Sequence, residues 1–151
     1  MATRFDAVCL ALTAMWQAAP TLAGVQVVDG PQVNGDASSS WLFVGSDGGE
    51  PADDVEAAVA EQSFMAFART KQEDAEVTCA AVVVRGDTDI PAARAAANAI
   101  LSAAEDLLRA DLLLGGLVMK SHISAYRYIP VQTQAGAKVR IVFTVTYLAQ
   151  L

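Results

Sequence analysis

From Ala137 to Ala149 the chain alternates, with Val139, Ile141, Phe143, Val145 and Tyr147 on one side and Lys138, Arg140, Thr144 and Thr146 on the other. Successive side chains of a strand point to opposite faces, so this period-two pattern predicts an antiparallel strand half-buried against a core. Such a strand cannot stand alone. It needs neighbours in a sheet and a second layer to cover its apolar face.

The neighbours are readable upstream. Val118 to Tyr128 reads as a strand, with Met119, Ser121, Ile123 and Ala125 opposite Lys120, His122, Ser124 and Tyr126. The polar stretch Pro130 to Gly136 reads as the hairpin loop joining it to the last strand. Val25 to Val28, closed by Asp29-Gly30-Pro31, and Trp41 to Val44 give two short strands on either side of the polar stretch Asn34 to Ser40. Val55 to Ala68 permits a strand by its alternation or a helix by its alanines. A long, bulged strand is preferred, because Ala75 to Arg85 then pairs with it across a polar turn at Thr70 to Asp74. Val82, Val83 and Val84 favour a strand, since β-branching restricts side-chain rotation.

The covering layer is two helices. Phe5, Val8, Cys9, Leu12, Met15, Trp16 and Ala19 recur at helical steps, with Thr3 placed as a cap, Asp6 in the first turn and Pro20 as a stop. Asp87-Thr88-Asp89-Ile90-Pro91 opens a second helix, striped by Ala93, Ala97, Ile100, Ala104, Leu107 and Leu108, that ends near Asp111 before Gly115-Gly116. So many alanines on the stripe imply a close approach to whatever it packs on. The expected fold is α+β: a mixed, mainly antiparallel sheet with two amphipathic helices packed on one face, in the order α-β-β-β-β-α-β-β. It forms one domain over 1–151, with extended loops at 29–40, 45–54 and 130–137.

With a net charge of −7, the chain offers no generic attraction to nucleic acid, and an acidic surface would repel passing DNA. Cys9 and Cys79 sit in apolar contexts without metal-ligand spacing and read as buried free thiols. Met1 to Arg4 lead straight into the first helix with no leader pattern, and the apolar runs Ala80–Val84 and Leu112–Leu114 fall far short of a bilayer span. A soluble protein made in a reducing compartment is expected, with no membrane partner.

No chemistry is legible. His122 is the single histidine, and its strand neighbours Lys120, Ser121 and Ser124 supply no acid to orient it. Gly45-Ser46-Asp47-Gly48-Gly49 lacks the lysine and hydroxyl residue of a phosphate-cradling loop. The acidic loop from Ser46 to Asp54 lacks the ligand register of a calcium loop. No catalytic, cofactor-binding or metal-binding residue is assigned, and a non-enzymatic role is expected.

The layout of a helix from Phe5, the segment Val25-Gln26-Val27-Val28-Asp29-Gly30-Pro31, the strand Trp41-Leu42-Phe43-Val44-Gly45 and a C-terminal hairpin ending Arg140 to Tyr147 resembles one known family. It is similar to the tail terminator (tail completion) proteins of siphophages, especially those of actinobacterial hosts. The resemblance implies a structural virion protein, made in the host cytoplasm. Such a protein forms a homo-oligomeric ring, expected to be a hexamer, that caps the tail tube protein, ends its polymerisation and docks to head-completion or connector proteins. Phage DNA passes through the ring without sequence-specific binding. A ring needs heterologous contacts that close by rotation, and exposed strand edges and the hairpin at 130–137 are the expected means. Arg127, Gln132, Gln134, Lys138 and Arg140 are the expected contact residues, and the acidic loop Ser46 to Asp54 is a second candidate surface, expected toward the lumen. The alternatives are a head–tail connector or tail tube subunit, a small oligomeric enzyme using His122 with a loop carboxylate, and a ligand-binding module with a deep apolar pocket.

Overall fold

The computed structural model describes residues 1–31, 39–50, 53–67, 69–134 and 136–151. Among the described residues, two α-helices, α1 (Phe5–Gln17) and α2 (Ile90–Ala110), lie on one face of a six-stranded sheet. The strands are β1 (Gln26–Asp29), β2 (Ser40–Val44), β3 (Ala58–Phe64), β4 (Lys71–Arg85), β5 (Lys120–Thr133) and β6 (Gly136–Gln150). Their order is β1-β2-β4-β6-β5, with β3 set beside the first half of β4. Only β1 and β2 run parallel; every other pair is antiparallel. The fold class and element order are those the periodicity predicts.

β4 and β6 form the spine. They pair from Gln72–Gln150 to Arg85–Ala137, and the predicted stripe Val139, Ile141, Phe143, Val145 and Tyr147 is buried against the helices. On α2 the buried face is Ala93, Ala97, Ile100, Leu101, Ala104 and Leu108. Leu101 was not on the predicted stripe, and Leu107 is only half-buried at its margin. Asp89 caps α2 by accepting the Ala92 amide at 3.0 Å, as a carboxylate at a helix start should. α1 enters differently from expectation. Its cap position is Arg4, whose side chain caps nothing, while the Thr3 hydroxyl accepts the Phe5 amide. Trp16 on α1 is fully buried, edge-on to Phe143 at 6.1 Å between ring centroids, and donates its indole N–H to the Ala104 carbonyl at 3.3 Å.

Several boundaries move. The turn expected at Thr70 to Asp74 lies one step earlier, because Lys71 to Asp74 pair with Phe64 to Glu61. Strand β3 is correspondingly shorter than the expected 55–68. β5 begins at Lys120 and continues through Tyr128 to Thr133, so the loop expected at 130–137 contracts to a tight turn with Pro130 to Thr133 paired to Val139 to Gly136. The even alternation expected on β5 breaks at a bulge between Ile123 and Ala125. Gly136 is required at the turn, since its φ of +126° is open to glycine and a Cβ there would collide with the Arg85 carbonyl. Most of the expected loop at 29–40 lies outside the described residues.

Candidate assembly surface

The sheet's second face carries a smaller apolar cluster of Trp41, Phe43, Ala80, Val82 and Val142, edged by Val28, Val84 and Ile129. Part of its cover is the acidic loop. Gly48 takes φ +67° and lies so close that a Cβ would meet Val82 Cγ2 at 2.7 Å and Phe43 Cδ2 at 3.1 Å. Ser46 and Asp47 shape the loop by accepting the Gly48 and Gly49 amides. Arg140 then holds it down, donating to the Asp47 carbonyl at 2.8 Å with the Asp47 carboxylate at 3.7 Å. The stretch Ser46 to Gly49 is thus a fastened flap on the sheet.

This changes the reading of the five expected contact residues. Arg127, opposite Val142, and Lys138, opposite Val131, share the flap-bearing face with Arg140. Arg127 is exposed, Lys138 is half-buried, and Arg140 is engaged within its own chain, with its side chain 19% exposed. Within its own chain Arg140 is the anchor of the flap. Gln132 pairs with Ala137 and so belongs to the helix-bearing face. Gln134 is exposed at the hairpin turn. The structure brings together Arg127, Lys138 and Arg140 and leaves the two glutamines apart from them.

Sequence reasoning expects exposed strand edges but does not say which strands carry them. β5 has β6 on one side and, among the described residues, no strand on the other. Tyr126 and Tyr128 stack edge-to-face along it at 5.7 Å and are 60% and 41% exposed, with Val131 and Met119 also exposed. On the opposite side, β3 is equally open, with Val59 and Phe64 exposed. The turn beyond it shows Met65 and Phe67 to solvent, and Lys71 lies over the Phe64 ring. An exposed β-branched or aromatic residue on a terminal strand is the sequence signal, but only the strand order shows which strands are terminal.

His122 lies on β5 opposite Thr146, exposed, beside an open depression lined by Glu105, Leu108, Arg109, Leu112 and Ile123. The carboxylate lining that depression, Glu105, sits on α2 and not in a loop, and is bound to Arg109 at 3.0 Å. Among the described residues no three His, Cys, Asp or Glu side chains converge as a metal site, and no helix is long and apolar enough to cross a membrane. Burial pushes the Cys9 thiol up to about 12, helped by Asp29 and Asp6, and Cys79 moves the same way, so neither is a ready nucleophile.

The one buried carboxylate among the described residues is structural in its geometry. Glu73 accepts from the Tyr147 hydroxyl at 2.7 Å, the Arg4 amide at 2.9 Å and Gln62 Nε2 at 2.7 Å. Burial alone would raise its pKa, but these donors together hold it below the ordinary value. The group ties β3, β4, β6 and the start of α1 into one corner. Compared with known proteins, the chain matches no family model and none of the curated sequences, so a functional reading rests on these edges, faces and charges.

Proposed function

We propose that the chain is a non-enzymatic subunit of a closed homo-oligomeric ring, acting as a tail terminator that caps a phage tail tube and joins it to the head-completion proteins. The observation that carries this reading is the pair of open strands at opposite sides of one sheet, β5 and β3, both bearing exposed apolar side chains. Unpaired edges invite another strand, and folded monomers ordinarily shorten or cover them. Here one edge runs 14 residues and the other 7. Two different edges make a heterologous contact, which generates a ring when the rotation closes. The resemblance in layout supplies the particular ring, with DNA as a passenger that an acidic chain does not grip.

The test is the mass of the purified protein by light scattering at two concentrations, alone and with tail tube protein. A discrete ring of about six subunits, formed alone or on the tube end, is the expected result for a closed heterologous assembly. Open-ended polymers would assign the chain to the tube itself. A stable monomer or dimer indifferent to the tube would overturn the reading and return attention to His122.

A further inference from the structure

The path β3-β4-β6-β5 crosses the sheet with every neighbour antiparallel, so β3 and β5 run in opposite directions. A second copy, turned about an axis along the strands, therefore brings its own β3 beside β5 as an antiparallel neighbour. The helices of both copies then lie on the same face. Strand direction already suits a rotational ring.

The two edges also differ in charge. β5 carries Lys120, His122 and Arg127 and no carboxylate, whereas β3 carries Glu61 and no basic residue. Pairing β5 with a second β5 would set like charges across the seam, and pairing β3 with β3 would do the same. Only β5 against β3 sets opposite charges together. β1 is also terminal but only four residues long.

Backbone polarity restricts the register to steps of two residues, and the charges of Arg127 and Glu61 select among them. The Ala57 carbonyl accepts the Thr78 amide of β4, so alternate residues Ala58, Ala60, Gln62 and Phe64 turn their N–H and C=O groups to the open edge. On β5, the partner of Gln132 is Ala137, whose amide goes to Asp87 on the far side of β6. Gln132, Pro130, Tyr128 and Tyr126 thus face outward, which also explains how proline, with no N–H to give, is tolerated mid-strand. Matching outward groups and flap-bearing faces, we propose that β5 of one copy adds antiparallel to β3 of the next with Arg127 opposite Glu61. Tyr128 then exchanges hydrogen bonds with Ala60, and Tyr126 with Gln62. Ile129 packs on Val59 in the closer, non-hydrogen-bonded position, and Pro130 meets Ala58 where the ladder ends.

This pairing rests on the ring reading but fails separately from it. Copies carrying Val59→Cys are mixed with copies carrying Ile129→Cys and oxidised; facing Cα atoms at such a pair lie about 4.5 Å apart, within disulfide reach. The native thiols are buried and contribute little background. Linked dimers are expected in the mixture and in neither protein alone. Ala60→Cys with Tyr128→Cys is a second pair should Ile129→Cys disturb folding. Arg127→Glu and Glu61→Arg should each weaken assembly about tenfold, and the double reversal should restore most of it. Rings that survive both reversals and never cross-link would overturn the pairing while leaving the ring intact. Cross-linked open polymers would support the pairing and overturn closure, and monomers at every concentration would overturn both.

Discussion

Glu73 shows how one residue governs a corner of this molecule. Its carboxylate is fully buried yet faces neutral donors, so its charge is stabilised by hydrogen bonds and not by a counter-ion. Removing it strips the Tyr147 hydroxyl and the Arg4 amide of their acceptor and leaves the Gln62 amide only the Ala2 carbonyl, and Glu73→Ala should lower unfolding stability by about 3 kcal/mol in urea titrations at neutral pH. The pH dependence has a definite sign. Because the folded pKa lies below the ordinary 4.5, the stabilisation is present above that value and fades as pH falls through the lower folded one. Glu73→Gln cannot titrate, so its deficit against wild type should be widest near neutrality and shrink in acid below 4.5; a deficit constant with pH would mean the charge is immaterial. Gly48 makes a different single-residue demand. A left-handed φ of +67° and the Val82 methyl at 2.7 Å both oppose a Cβ. Gly48→Ala should therefore cost about 2 kcal/mol, seen as a lower denaturation midpoint with unchanged slope.

At the scale of elements, the small residues on α2 explain how a 21-residue helix reaches the sheet. Ala93, Ala97 and Ala104 are fully buried, so backbone and sheet stand close there. Ala97→Leu should destabilise by about 1–3 kcal/mol through overpacking, and Leu101→Ala by about 2–5 kcal/mol through a cavity, both read as loss of thermal midpoint. The alanine stripe and the strict alternation of β6 were legible because burial on one face writes a period into the sequence. Boundaries were less legible where polar residues remain in strands. Lys71 to Asp74 look like a turn, yet Asp74 lies on the solvated face and Glu73 is buried by its three donors. Pro130 to Thr133 look like a loop, yet an open edge accepts proline because no donor is missed. The contact residues were the least legible part. Hairpin polarity pointed to Arg140, but its fastening to Asp47, 93 positions away in the chain, is a tertiary fact that no local pattern carries.

At the scale of the whole molecule, assembly has two opposed electrostatic terms. Each copy carries a net charge of −7, so copies repel one another at long range. The seam between β5 and β3 would instead be attractive, with Arg127 and Glu61 in contact between strands. Salt separates these terms by distance. The Debye length falls from about 30 Å at 0.01 M to about 8 Å at 0.15 M, which removes repulsion between whole subunits but leaves a close, partly desolvated pair much less affected. Ring formation should therefore strengthen as ionic strength rises over that range, measured as the subunit concentration at half-assembly by sedimentation. Arg127→Glu should keep the same direction of salt response from a weaker starting point, because it alters the seam and adds to the net repulsion. A ring that loosens steadily with salt would show that the seam's ion pairs, and not strand pairing with Tyr126, Tyr128 and Ile129 packed along it, supply most of the association. The edge would then be steering assembly without holding it together.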